Sequence, residues 1–527
     1  IKEILKGNQQ VKDIASEQTI ELGLSKSHGH IEAILYVIQK LGIDKLISNS
    51  HTRQRDIIVA LIASRSLNCK SKLSAINECN NLTDGTTLGL ELGLGDLKEK
   101  ECYEAMDWLH PKMKKIENKL AARFLEDEAP FLLFDTSSSF YFGSTCELAQ
   151  FGYSRDKKKG FKQINYGALT CKAGIPVSMM VFEGNTSDNE AFKAMRKKSK
   201  IQFKKEDIVF VSDRGMISSK IIKTMDPKEG ENWISALKNK SIMGLIDDGA
   251  INMATFKDQD LFEITHEDYP GERLIVCKNN ELASKRASTR EVLLTKTEDI
   301  LKKLNLLFSE KKIIAPDTEV AFRVGKEINK KKMAKHFILK YGNGNFEWER
   351  NSVSIDKEAK ADGIYIIRTS LKKELLPSGE TLDTYKGLSK VERLFRSFKA
   401  SEINIRPFNH RLKERIEVHC FICMLAYIVE FHLRKAWGPL IFKDFCPVKE
   451  NGGIKTTRSK AAKQKDQTKL NEEGERVQSY SDLLKTLAGV SKVQLKIKGV
   501  EEFEGWKISA KTELQQKAFD LLKKMYP

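Results

Sequence analysis

Three side chains that could do chemistry stand at seven-residue intervals: Tyr385, Glu392 and Lys399. Seven residues make two helical turns. Leu388, Val391, Leu394, Phe395 and Phe398 also recur at helical spacing, so Tyr385–Lys399 is predicted to be one amphipathic helix with its acid, phenol and ammonium on one face. An acid there can hold a divalent metal, while lysine and tyrosine can hold phosphate. An ordinary charged helix face explains this stretch alone equally well.

Two upstream segments shift that balance. Phe131-Leu132-Leu133-Phe134 is a strand-like apolar run ending in Asp135, and Ile208-Val209-Phe210-Val211 leads through Ser212 into Asp213, Arg214 and Gly215. A lone acid at a strand end is usually a turn former or helix cap. Two of them, with a helical glutamate, make an all-oxygen donor set suited to Mg²⁺ or Mn²⁺.

The elements that must position these acids read as an α/β chain. Residues 1–125 are predicted to be helical, with a turn at Asn80–Gly85. The ribonuclease-H-like order of strands and helices begins in 126–229, with a hairpin around Lys172-Ala173-Gly174-Ile175. It resumes in 361–446, where Gly363–Thr369 is expected as its last strand. Between them, 230–360 is too long for a structureless loop and is predicted to be a β-containing insertion subdomain. Polar, lysine-rich 447–477, with Gly452-Gly453, reads as a flexible linker, and 478–527 as a small C-terminal element.

In combination the three acidic segments resemble the DDE transposases of bacterial insertion sequences. They match most closely the subgroup with a Tyr-x2-Arg-x3-Glu-x6-Lys signature. Tyr385, Glu392 and Lys399 fit that signature position for position, whereas Leu388 stands at its arginine. Glu183-Gly184-Asn185-Thr186-Ser187-Asp188 and Asp362–Thr369 add to the likeness, which runs from about Leu46 to Leu433. The resemblance implies a ribonuclease-H-like catalytic domain in which Asp135, Asp213 and Glu392 coordinate two Mg²⁺ or Mn²⁺ ions. It implies DNA cleavage at element ends and strand transfer into target DNA, with Tyr385, Lys399, Arg214 and Lys390 as phosphate contacts. It also implies a homodimer assembled on double-stranded DNA, a DNA-recognising N-terminal block and an insertion that touches DNA. A nuclease of the same fold without strand transfer, and an inert DNA-binding remnant, remain open alternatives.

Composition agrees with a polyanionic partner. The 527 residues carry a net charge of +18, and lysine or arginine recurs in blocks at Lys157–Lys159, Arg196–Lys198, Lys311-Lys312 and Lys330–Lys332. The nine cysteines form no disulfide or zinc framework; Cys420 and Cys423 sit in an apolar helix and read as core. His410 and His419 read as core or helix-end residues, since phosphoryl transfer on two metals needs no histidine base. Trp233 and Trp348 could stack on an unpaired base but fit a core better. Without a signal peptide or a long uncharged apolar run, a cytoplasmic, nucleoid-associated protein with no membrane contact is expected.

Overall fold

The computed structural model describes residues 20–527 apart from 69–70, 81–84, 126–129, 206, 258–259, 311–315, 400–402, 445–446, 451–454 and 498–499. Most of the turn expected at Asn80–Gly85, the Lys311-Lys312 pair and Gly452-Gly453 lie outside the described residues. The chain divides into two compact units, one of Ile1–Glu231, Gly387–Val448 and Arg458–Pro527, the other of Asn232–Lys386 and Lys449–Thr457.

The first unit holds a mixed sheet. Strands Phe131–Phe140, Gln163–Thr170 and Pro176–Glu183 form an antiparallel meander, and Ile208–Val211 runs parallel to Phe131–Phe140 on its other side. Leu132, Leu133, Phe134 and all four residues of Ile208–Val211 are buried, which explains why these strands read as apolar runs rather than alternating ones. The arrangement is consistent with a ribonuclease-H-like fold.

A 24-residue helix, Lys413–Ala436, is the spine of this unit. It packs on helices Arg53–Asn68 and Glu99–Leu109 and on strand Pro176–Glu183. Among the described residues it is the one helix long and apolar enough to cross a membrane, but 89% of its most apolar stretch is buried, as in the core helix of a globular domain. Cys420, Cys423 and His419 are part of that core.

The chain ends depart from expectation. Residues 1–125 are not purely helical: Ile20–Ser27 is a strand, antiparallel to Ser491–Ile497, which in turn pairs with Val500–Ile508. The C-terminal element therefore shares a sheet with the N-terminal block. Nor is 447–477 a linker throughout. Lys460–Thr468 is a helix capped by the Ser459 side chain, and the Lys465 ammonium donates to the carbonyls of Gly438 (3.0 Å) and Ile441 (3.3 Å). Composition hid this, because a lysine that satisfies buried carbonyls looks like any other lysine.

In the second unit strands pair antiparallel in the order Glu231–Ala236, Ile364–Thr369, Arg273–Lys278, Leu261–Ile264. Strand Ile364–Thr369, expected as the last strand of the ribonuclease-H-like order, pairs with Glu231–Ala236 and Arg273–Lys278. Asp362 and Arg368 in that segment are structural: Arg290 grips Asp362, and Arg368 pairs with buried Glu272. The 30-residue helix Asn280–Ser309, helix Asp317–Lys330 and hairpin Phe337–Gly342/Asn345–Arg350 enclose a separate core. Trp348 packs against that core and Trp233 is buried.

Candidate active site

The parallel pairing of two strands fixes the first two acids. Leu133 stands opposite Val211. Two residues on from that rung come Asp135, inside its strand, and Asp213, two residues past the end of its own and near enough for its charge to act on Asp135. The Ser212 hydroxyl donates to the Phe134 carbonyl at 2.7 Å, holding the strands together past their last paired rung. Asp213 is exposed. One of its carboxylate oxygens accepts from the amides of Gly215 (2.9 Å) and Met216 (3.0 Å), so the turn through Arg214 folds around the acid. Arg214 is exposed on that turn.

Asp135 is partly buried, and its carboxylate accepts from the Thr136 amide at 2.7 Å. Burial pushes its pKa up to about 7. The Thr136 amide and Arg155 oppose the shift, and the charges of Asp213 and Asp188 add to it.

Sequence reasoning missed two neighbours of Asp135. Asp188 accepts from the Thr136 hydroxyl at 2.9 Å and pairs with Arg155 at 2.5 Å, and Arg155 also reaches the Thr136 hydroxyl at 2.5 Å. Asp188 opens helix Asp188–Phe203, directly after the Ser187 cap. An acid beyond a strand and a capping serine was the available signal, but first-turn acids are common for helix-dipole reasons alone.

Helix Leu388–Lys399 carries the third acid and packs on the Asp135 strand. Val391, Leu394, Phe395 and Phe398 are buried, and the rings of Phe395 and Phe398 meet the Tyr166 ring at 5.7 and 6.4 Å between centroids. Glu392 is exposed at the flank of that buried stripe. The Lys390 ammonium donates to the Lys172 carbonyl at 2.6 Å, so this cation is engaged with the hairpin turn. At the same turn Gly174 has φ +90°, and a Cβ there would lie 2.7 Å from the Lys390 Cβ.

Two parts of the expected signature face change. The helix is not continuous from Tyr385: Ser378–Lys386 and Leu388–Lys399 are separate helices, divided at Gly387. Glycine is a poor interior helix residue, and the seven-residue spacing cannot be carried across a break. Tyr385 belongs to the second unit, Glu392 and Lys399 to the first. Lys399 does not extend freely into solvent either. It pairs at 2.9 Å with the buried Asp156 carboxylate, which Arg406 also contacts at 2.8 Å. Burial lowers the Lys399 pKa and Asp156 opposes that shift.

Among the described residues no three His, Cys, Asp or Glu side chains form a group that could hold one metal ion. Asp213 and Asp188 both lie near enough for their charges to act on Asp135. The donors nonetheless fit a hard divalent cation. All are carboxylate oxygens, and a positive ion would favour the charged form of Asp135 that burial, and to a lesser degree the neighbouring acids, disfavour.

The family model for the transposase DDE domain matches residues 137–429, more than half of the chain. The chain belongs to the DDE transposase family. The matched span of this transposase opens two residues after Asp135, contains Asp213, Glu392 and Lys399, and ends within the spine helix. No curated protein matches the chain. The subgroup signature rests on Glu392 and Lys399 on one helix, with Tyr385 beyond the break.

Proposed function

We propose that this transposase cleaves DNA at the ends of an insertion sequence and joins those ends to target DNA, with Asp135, Asp213 and Glu392 as its catalytic acids. The observation that carries the reading is the parallel pairing of strand Phe131–Phe140, which contains Asp135, with Ile208–Val211, two residues before Asp213, and the packing of the Glu392 helix on the first of these strands. When bound, two divalent ions about 4 Å apart would activate the attacking oxygen and stabilise the leaving one. Asp135 and Asp213 supply fixed carboxylates; Glu392 would reach them by side-chain and helix adjustment. Arg155 lies beside Asp135 and balances its charge. Arg214 on the Asp213 turn is placed to meet a phosphate, and Tyr385, Lys390 and Lys399 are further phosphate contacts that would have to exchange their present partners. DNA is the partner, engaged as a homodimer in the cytoplasm.

The test is single-turnover cleavage of a duplex carrying the element end, followed by capture of the cleaved 3′-hydroxyl end in a target plasmid. Mg²⁺-dependent cleavage and joining are expected, both lost in Asp213→Asn. Cleavage without joining would leave the nuclease reading, and neither activity would leave the inert one.

A further inference from the structure

We propose that the loop Tyr141–Lys162 is a stacking surface for unpaired DNA bases beside the catalytic strand. The inference rests on DNA being the substrate. The two tryptophans considered for base stacking are core residues, yet this loop holds aromatic side chains out in solvent. Tyr153 is 86% exposed, Phe151 64%, Phe142 61% and Phe161 42%. A folded domain rarely leaves so much aromatic surface uncovered without a binding role.

The exposure is built rather than accidental. Phe142 stands edge-on to Phe140 and to Phe161, with ring centroids 5.2 and 5.8 Å apart. Gly152, between Phe151 and Tyr153, lies so near the Gly184 carbonyl that a Cβ would come within 2.2 Å of it. With its backbone pressed on that turn, the loop has only the solvent side for its two flanking rings. Gln163 secures the same stretch by donating to the Tyr153 carbonyl at 3.1 Å.

Charge selects the occupant. Lys157, Lys158 and Lys159 are exposed on this loop. Lys157 and Lys159 form no ion pair among the described residues, and Lys158 lies over the Phe140 ring at 5.7 Å. The other described basic blocks are partly committed inside the protein, with Arg196 on Glu231, Lys198 on Glu117 at 2.8 Å and Lys330 on Glu327 at 2.5 Å. Exposed rings interleaved with free ammonium groups are what a single strand needs: a face for each base and a cation for each phosphate. A protein partner or a second copy would instead be met by an apolar patch depleted of lysine.

Position ties the surface to the reaction. Arg155 of the loop reaches Thr136 and Asp188 next to Asp135, and Asp156 holds Lys399 of the Glu392 helix. Bases stacked on the loop would thus be registered against the strand and helix that carry two of the catalytic acids. The surface suits the unpaired nucleotides next to a cleaved phosphate.

The experiment is fluorescence anisotropy in EDTA, so that no cleavage intervenes, with a labelled blunt duplex and the same duplex bearing a five-nucleotide single-stranded overhang. The full chain is expected to bind the overhang at least tenfold more tightly. Tyr153→Ala and Phe151→Ala should each remove about threefold to tenfold of that preference and leave blunt binding unchanged. Both rings are solvent-exposed, so neither change should unfold the protein, and a melting curve checks this. Lys157→Glu with Lys159→Glu should weaken both DNAs, the overhang more. An unaltered overhang preference in both aromatic variants overturns the inference. So does a shift of either variant from dimer to monomer in sedimentation without a change in DNA preference. Binding to neither DNA would overturn the transposase reading itself.

Discussion

Lys399 and Asp156 form an ion pair at 2.9 Å in which the carboxylate is 1% exposed. The ammonium that ends the signature thus anchors its helix to the loop before strand Gln163–Thr170. Arg406 contacts the same acid. Lys399→Ala leaves Asp156 with Arg406 as its one charged partner beside the Phe140 amide; Asp156→Asn leaves two cations without their charge. If Lys399 positions the helix, both variants should cleave about tenfold to a hundredfold more slowly in single turnover, with similar DNA affinity. Asp156→Asn should also melt earlier, since breaking a buried pair is strongly destabilising. If Asp156→Asn cleaves at the normal rate while Lys399→Ala does not, the lysine acts on phosphate and not through its partner.

Asp213→Asn changes one ligand charge and almost no volume, and its oxygen can still accept from Gly215 and Met216. DNA binding and melting temperature should stay close to wild type while Mg²⁺-dependent cleavage disappears. Retained cleavage would remove Asp213 from the catalytic set.

Asp135 gives a pH signature in the metal-free protein. Its folded pKa, about 7, lies above the 3.8 of a free side chain, so the folded state binds its proton more tightly. That favours folding below pH 4 and is lost as pH rises through 7. Asp135→Asn should therefore be more stable than wild type at pH 8 without metal, with the difference shrinking by pH 5. Mg²⁺ should raise the melting temperature of wild type at pH 8 but not of the variant. Equal melting at both pH values would show that burial does not control this acid.

Gly174→Ala combines a left-handed backbone with a Cβ clash against Lys390. The backbone strain alone costs about 1–2 kcal/mol, a fall of roughly 2–8 °C in melting temperature. Because Lys390 is two residues from Glu392, the cleavage rate should fall more than stability does. A variant that melts early but cleaves normally would show that the hairpin does not set the helix.

Lys72 reports on the core of the first unit. It is held against His410, with Nζ 2.5 Å from the imidazole Nε2, and burial lowers its pKa to about 7. Its folded pKa is below the unfolded one, so stability should rise with pH between 7 and 10.5. Lys72→Met should flatten that rise and raise the melting temperature at pH 6. An unchanged pH profile would mean the ammonium stays solvated.

Asp213 was legible as an acid just past an apolar strand, whereas Asp135, expected at a strand end as well, lies inside strand Phe131–Phe140, because the polar residues Thr136–Ser139 continue the pairing where the apolar run stops. The Glu392 helix was legible through its apolar face. The break at Gly387 was not, because one glycine inside a strong periodic pattern is locally tolerable and only tertiary packing decides. The Asp156 partner of Lys399 was not legible because a surface lysine and one paired with a distant buried acid look alike; Asp156 is 243 residues away. Strand Ile364–Thr369 was legible as a strand from its apolar run, but its partners Glu231–Ala236 and Arg273–Lys278 were not, because composition does not carry pairing. The aromatics of the Tyr141–Lys162 loop carry no periodic pattern, so only the fold shows that Phe142, Phe151 and Tyr153 are exposed.

Ser27 pairs with Ser491 across the terminal sheet. On the ribosome these two strands emerge roughly 20–90 s apart, at about 5–20 residues per second. Throughout that interval Ile20–Ser27 has its ladder groups open to any other strand, while most of the remaining chain has already left the exit tunnel. Completion of this sheet is therefore a late event in the life of each molecule. A product that stopped short of Ser491 would keep the catalytic strands and still carry an unsealed edge, a template for sticking to its neighbours rather than for working on DNA.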